Sequence, residues 1–232
     1  MKKIGIIGAM AQEVERLKGE MEVRRTMAKA SMEFWEGTLN GTDAVVVQSG
    51  IGKVNAAICA QILCDIFEVT HIINTGVAGS LKNEINIGDI VVSTDALHHD
   101  MDARVVGTRL GEVPQAGCLA FPADGRLAHL AVTCCKEANP MLSVYQGRVV
   151  SGDQFISDRQ VKDKIIGNFQ GFCVEMEGAS IAQTAYLNHV PFVIIRAISD
   201  KADDSAEMDF PVFEKEAAAH SAALVEHMLP LI

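Results

Sequence analysis

Val190-Pro-Phe-Val-Ile-Ile-Arg-Ala-Ile-Ser-Asp200 is an apolar run of strand length that closes on three polar side chains, Arg196, Ser199 and Asp200. A continuous β-branched run of this kind reads as an interior strand covered on both faces. Upstream, His71-Ile-Ile-Asn-Thr-Gly-Val-Ala-Gly79 reads as a second buried strand ending in a glycine-punctuated turn. Lys3 to Ile7 is a third, short and β-branched, followed by Gly8. The segment Phe172-Cys-Val-Glu-Met-Glu-Gly-Ala179 holds two carboxylates, Glu175 and Glu177, in apolar surroundings. On a strand they share a face, because side chains alternate. On a helix they diverge by about two hundred degrees. Carboxylates beside a core are costly unless they are paired or face a polar cavity. For an arbitrary sequence, one exposed and one ion-paired glutamate is the favoured reading.

Outward from these strands, elements alternate. After Gly8 a helix starts, with Gln12, Glu13, Glu15 and Leu17. Met32 to Leu39 and Ala44 to Gln48 form a hairpin around Asn40-Gly41. Ser49-Gly-Ile-Gly-Lys53 leads into a helix from Val54 to about Phe67, and Ile87 to Ser93 is another strand. His98-His-Asp-Met-Asp102 has metal-ligand residue types but no distant partners, and reads as a polar loop. Arg104 to Gly125 is loop-like. Leu127 to Lys136 is a helix, Val144 to Val150 a strand, Val161 to Asn168 a helix, and a helix from about Gly178 to Asn188 follows. Asp203 to Glu207 reads as a polar loop, and a last helix begins near Phe210-Pro211, with proline in its first turn. No repeat, linker or low-complexity tract interrupts this order. One α/β domain over residues 1–232 is expected, with a central mixed sheet flanked by helices on both faces.

Composition agrees. The chain has 232 residues, 49% hydrophobic and 22% charged, and a net charge of -10. The acidic balance argues against nucleic acid or an anionic membrane as partner. The six cysteines form no C-x-x-C pair and sit among aliphatic residues, as reduced core thiols do. The apolar N-terminal stretch is short and breaks at Gln12-Glu13, unlike a signal peptide. No run is long enough to span a bilayer. A soluble, cytoplasmic protein is expected.

Ligands of such sheets bind outside the carboxyl ends of the strands. Polar residues gather there: Glu13, Asn74-Thr75, Asp153 to Phe155, Arg196 and Ser199-Asp200. Three carboxylates and an aromatic suit cleavage through an oxocarbenium-like transition state, with an acid for the leaving group and a base for water. Neither G-x-S-x-G nor G-x-G-x-x-G is present, so serine hydrolysis and dehydrogenase chemistry have less support. The residues alone lead to an acid/base enzyme acting on a polar organic ligand.

Six segments carry a more specific resemblance: Gly5 to Glu13, Ser49 to Val54, Ile73 to Gly79, Val150 to Ile156, Val174 to Glu177 and Arg196 to Asp200. In sequence and order they resemble the 5′-methylthioadenosine/S-adenosylhomocysteine nucleosidase family of the purine nucleoside phosphorylase superfamily. The resemblance implies a nucleoside phosphorylase-like fold, no cofactor or metal, and water as co-substrate. It implies that Asp200 is the general acid toward N7 of adenine and that Glu13 is the base toward water. Glu177 would bind the ribose hydroxyls, with Met176 against the sugar and Arg196 helping to position Glu13 and the water. Phe155 would stack on adenine, while the Ile156 backbone and Ser199 read the base or hold Asp200. Met10, Ile51 and Gly79 would line the site. Around the 5′-thio group, Ala103 and Val106 would come from one subunit and Pro114 and Phe210 from the other, making a functional homodimer. Two positions depart from the family's pattern. Val77 stands where serine is frequent, and Val106 is smaller than the aromatic of some members. The alternatives are a phosphorylase of the same superfamily, a silent nucleoside-binding protein, and a nucleosidase for 5′-deoxyadenosine or aminodeoxyfutalosine.

Overall fold

The computed structural model describes residues 2–138, 140–203 and 205–232. In chain order the elements are β1 (Ile4–Gly8), α1 (Ala11–Gly19), β2 (Glu22–Lys29), β3 (Met32–Leu39), β4 (Thr42–Gln48), α2 (Lys53–Asp65), β5 (His71–Ser80), β6 (Ile90–His98), β7 (Phe121–Pro122), α3 (Gly125–Ala138), β8 (Val144–Ser151), α4 (Arg159–Phe169), β9 (Cys173–Glu175), α5 (Gly178–Leu187), β10 (Phe192–Asp200) and α6 (Ala206–Met228). The strands form one mixed sheet in the order β10-β6-β8-β9-β5-β1-β4-β3-β2, with β7 against β6. Because β10 also pairs with β5, the strands β5, β10, β6, β8 and β9 close into a ring.

The apolar runs explain the layering. Alternate residues of β5 and β10 go to opposite sides. Ile73, Val77, Val193 and Ile195 pack with residues of α1, α3 and α6, while Ile72, Ala78, Phe192 and Ile194 pack with residues of α2 and α5. Burying an isoleucine this completely contributes ~1.5–3 kcal/mol. The expected α/β domain with helices on both faces is thus the one found. The parallel register of β5 and β10 sets Arg196 beside Gly76 and Asp200 beside Gly79, with an irregularity between Ile198 and Asp200. This pairing lays two of the singled-out polar segments side by side.

Several expectations need correction. The Asn74-to-Gly79 stretch is not a turn; β5 runs through its glycines to Ser80. β9 stops at Glu175, and Glu177 is the N-cap of α5, so the two glutamates do not share a strand face. The unanticipated β2 is exposed along nearly all its length and lies at the sheet edge. Its Arg24, Arg25 and Lys29 suit an edge that must not recruit another strand. α6 starts at Ala206, which places Pro211 inside the helix rather than in its first turn. Among the described residues no cysteine forms a disulfide, and four of the six are buried. Among the described residues, no helix is long and apolar enough to cross a membrane.

Candidate active site

The carboxyl ends of β1, β5, β9 and β10 border a cleft of ≈ 490 Å³. Its walls are Ala9, Met10 and Glu13 at the start of α1, Ile51 before α2, Val77 to Gly79 of β5, and Phe155. Val174 to Glu177, Ser199, Asp200 and Phe210 of α6 complete it. A recess of ≈ 240 Å³ shares several of these residues and adds Gln154 and Ile156. Apolar walls with a few convergent polar groups are the lining of a small-molecule site.

Glu13 is the third residue of α1, where a carboxylate benefits from the helix dipole. Its side chain turns back over the helix start. Oε2 accepts the N–H groups of Ala9 at 2.6 Å and Met10 at 2.9 Å, and Oε1 accepts that of Val77 at 3.0 Å. Gly76 makes this possible, because a Cβ there would stand 2.4 Å from Glu13 Oε1. Burial raises the Glu13 carboxyl above its usual range, against the Arg196 charge and the three N–H donors.

Behind Glu13 lies a buried ion pair. Arg196 Nη2 donates to Glu175 Oε2 and to Asn74 Oδ1, both at 2.5 Å. Glu175 also accepts the Ser151 hydroxyl and the N–H groups of Glu177 (3.1 Å) and Gly178 (2.8 Å). Burial alone would raise Glu175; Arg196 and these donors outweigh it and hold the carboxyl below its usual range. Glu177 has a different setting. The N–H of Gly52 donates to its Oε1 at 2.8 Å, and no other hydrogen bond reaches its carboxylate among the described residues. Burial, reinforced by the charge of Glu175, pushes Glu177 up to about 8. Two adjacent carboxylates thus take opposite protonation behaviour from their surroundings.

That shift has a stability consequence. The unfolded chain releases the Glu177 proton near the ordinary 4.5, and the native chain holds it to about 8. Stability is therefore fully present below the lower value and is lost as pH rises to the upper one. Glu177→Gln should remove that loss. The variant is expected to melt several degrees above the parent at pH 8 and close to it at pH 4.5, with ~2–4 °C for each kcal/mol relieved. Thermal melts of the ligand-free proteins at both values check this; equal melting temperatures at pH 8 would contradict it.

Asp200 ends β10. Its Oδ1 accepts the Ala202 N–H at 2.7 Å and its Oδ2 the Ser199 hydroxyl at 2.9 Å. Burial raises its carboxyl, opposed by these two donors and aided by the charges of Asp209 and Asp203. Across the cleft Phe155 and Phe210 meet edge to face, with centroids 5.5 Å apart. Phe155 remains 49% exposed, leaving an aromatic face available to a flat ligand.

With this geometry in view, comparison with known proteins is decisive. The pattern of the phosphorylase superfamily matches residues 3–230. A 5′-methylthioadenosine/S-adenosylhomocysteine nucleosidase of Chromohalobacter salexigens is 43% identical over 99% of this chain and 97% of its own. The chain belongs to the 5′-methylthioadenosine/S-adenosylhomocysteine nucleosidase family of the phosphorylase superfamily. Two solved members of this nucleosidase family have nearly the same backbone. The Neisseria meningitidis enzyme, in complex with methylthio-immucillin-A, superposes with a TM-score of 0.96 at 39% identity, covering 100% of both chains. The Colwellia psychrerythraea enzyme, in complex with adenine, gives 0.95 at 38% identity, covering 99% of this chain and 95% of its own.

Against the nucleosidase-family expectation, the structure gathers Glu13, Asp200, Glu177, Met176, Phe155, Ser199, Met10, Ile51, Gly79 and Phe210 around one cleft, with Ile156 in the adjoining recess. Ser199 holds Asp200. One assignment is corrected. Phe210 belongs to the same chain as the cleft it lines, not to another subunit, because α6 begins early enough to bring it onto Phe155. Arg196 hydrogen-bonds to Glu175 and Asn74 rather than to Glu13, and acts on Glu13 through its charge. Ala103, Val106 and Pro114 do not line the cleft of their own chain. Sequence reasoning placed Asn74 at the site but gave it no role, and missed Glu175, Ser151 and the Gly52 and Val77 N–H groups as site components. Glu175 had a signal, since a carboxylate flanked by Val174 and Met176 requires a buried cation, and Arg196 is one.

Proposed function

We propose that the chain hydrolyses the N-glycosidic bond of 5′-methylthioadenosine and S-adenosylhomocysteine, releasing adenine and the thioribose. The observation that carries hydrolysis over phosphorolysis is the place of Glu13. The N-terminus of a helix offers backbone N–H groups to an anion such as phosphate. Here the Ala9 and Met10 N–H groups already hold the Glu13 carboxylate. The buried guanidinium of Arg196 is likewise engaged by Glu175 and Asn74. An incoming phosphate finds a negative charge where its donors would be, whereas a water finds a general base.

In this reading Asp200 donates its proton to N7 of adenine as the bond breaks, and its raised affinity for that proton keeps it loaded. Glu13 takes a proton from the attacking water. Glu177 receives the ribose hydroxyls, Met176 packs against the sugar, and Phe155 stacks on adenine with Ile156 beside it. Val77 lacks the serine hydroxyl found in some relatives, yet its N–H fixes Glu13 directly. The protein acts as a cytoplasmic homodimer in which Ala103, Val106 and Pro114 of one copy cover the 5′-thio group bound by the other. Val105, Val106, Ile51, Val54 and Ile58 are exposed apolar residues, and Ile51 lies at the cleft itself. Together they supply an apolar surface for that contact.

The test is adenine release from methylthioadenosine and from S-adenosylhomocysteine in phosphate-free buffer. Turnover of both is expected. Absence of adenine from either would overturn the reading, and cleavage of 5′-deoxyadenosine in their place would redirect it to another adenine nucleoside.

A further inference from the structure

The Ser49-to-Lys53 and Ser151-to-Ile156 segments contain two charged side chains without a role in the chemistry above, Lys53 and Asp153. They meet, and Asp100 joins them. Asp153 Oδ1 accepts the Lys53 N–H at 2.9 Å. Asp100 Oδ1 accepts from Lys53 Nζ at 2.6 Å, and its Oδ2 accepts the Asp153 N–H at 3.0 Å. The three residues, Lys53 at the start of α2 and Asp100 and Asp153 beyond the ends of β6 and β8, close a cycle of hydrogen bonds.

Gly52 adjoins this cycle as the residue before Lys53. It is the N-cap of α2 with φ +97°, and its own residue type provides no side-chain cap. Asp153 supplies that cap from elsewhere in the chain. The N–H of Gly52, one peptide from the capped Lys53, is the hydrogen bond that orients Glu177. The turn is otherwise tied down locally by Asn55, whose amide donates to the Ile51 carbonyl at 2.7 Å.

We infer that Asp153, backed by Asp100, is a positioning residue for sugar recognition: it fixes the Ile51-Gly52-Lys53 turn so that the Gly52 N–H holds Glu177 toward the ribose hydroxyls. The inference rests on the reading of Glu177 as the hydroxyl-binding carboxylate. Asp153 touches neither the substrate nor the reacting atoms, so its effect is on discrimination and not on the chemistry itself.

The measurement is the ratio of kcat/KM for methylthioadenosine to that for its 3′-deoxy analogue, with thermal melts confirming the fold. Intrinsic reactivity cancels because the same pair of substrates is compared in every protein. D153A is expected to lower this ratio about tenfold, equivalent to ~1.4 kcal/mol. D153N keeps an oxygen that accepts the Lys53 N–H and should stay within about threefold of the parent. If D153A does not fold, D100A carries the test, with a drop of about threefold. An unchanged ratio in folded D153A or D100A would overturn the inference, as would an equal loss in D153N. E177Q separates the two levels. Its ratio should collapse, and if it does not, the reading of Glu177 fails and the inference with it.

Discussion

The Asp200→Asn protein is expected to bind adenine nucleosides and to release no measurable adenine from them. A positioned general acid accelerates a reaction by ~10²–10⁴-fold. Here the leaving group is an adenine anion unless it is protonated, so the full effect should be lost. Asparagine has nearly the same shape. Its carbonyl oxygen accepts the Ala202 N–H that now reaches Oδ1, and the Ser199 hydroxyl rotates to accept from the new amide. Its NH₂ group can still donate a hydrogen bond to N7, which preserves affinity, but it has no proton to give up. Equilibrium binding of adenine and single-turnover cleavage of methylthioadenosine, measured on the same preparation, separate these outcomes. Near-normal turnover would remove Asp200 from the role of acid.

Glu13→Gln is expected to reduce kcat/KM by ~10²–10⁴-fold, the usual contribution of a positioned base. It should also disturb the site more than D200N does. Both oxygens of Glu13 face backbone N–H donors, two at Oε2 and one at Oε1. A glutamine must turn its NH₂ toward one of these sides and leave a buried donor unpaired, at a cost of ~1–3 kcal/mol. Melting temperature and kcat/KM should therefore both fall, and a folded variant within tenfold of the parent would contradict the base assignment. The pH profile gives an independent reading. In the proposed mechanism activity needs Glu13 ionised and Asp200 protonated, and burial raises both carboxyls. The acid limb should lie above the ordinary glutamate value of 4.5, with activity falling as pH falls through it. The alkaline limb should reflect the release of the Asp200 proton. Residual E13Q activity should lose the first limb.

The strands that carry these acids were legible because burial on both faces leaves an unbroken apolar run, as in Val190-to-Asp200 and His71-to-Ile73. The polar residues closing those runs were legible for the same reason: a side chain such as Asp200 stands out against its neighbours. β2 was not legible, since an edge strand facing water on most positions carries no apolar alternation. The closing of the sheet through β5 and β10 joins segments far apart in the chain, and no local pattern encodes it. The pairing of Glu175 with Arg196 was hidden likewise. Each residue reads locally as a costly buried charge, and only the sheet register brings them together. Phe210 was assigned to another subunit by its position in the family's pattern, while Pro211 read as the start of the last helix. In the structure α6 gains an extra turn before the proline and carries the ring back to its own cleft.

The central claim is that water, not phosphate, takes the sugar. The direct measurement is the identity of the sugar product when methylthioadenosine is cleaved with and without added phosphate. Free methylthioribose at the same rate under both conditions is the result predicted from a helix N-terminus filled by Glu13. Methylthioribose 1-phosphate, appearing only with phosphate, would contradict it.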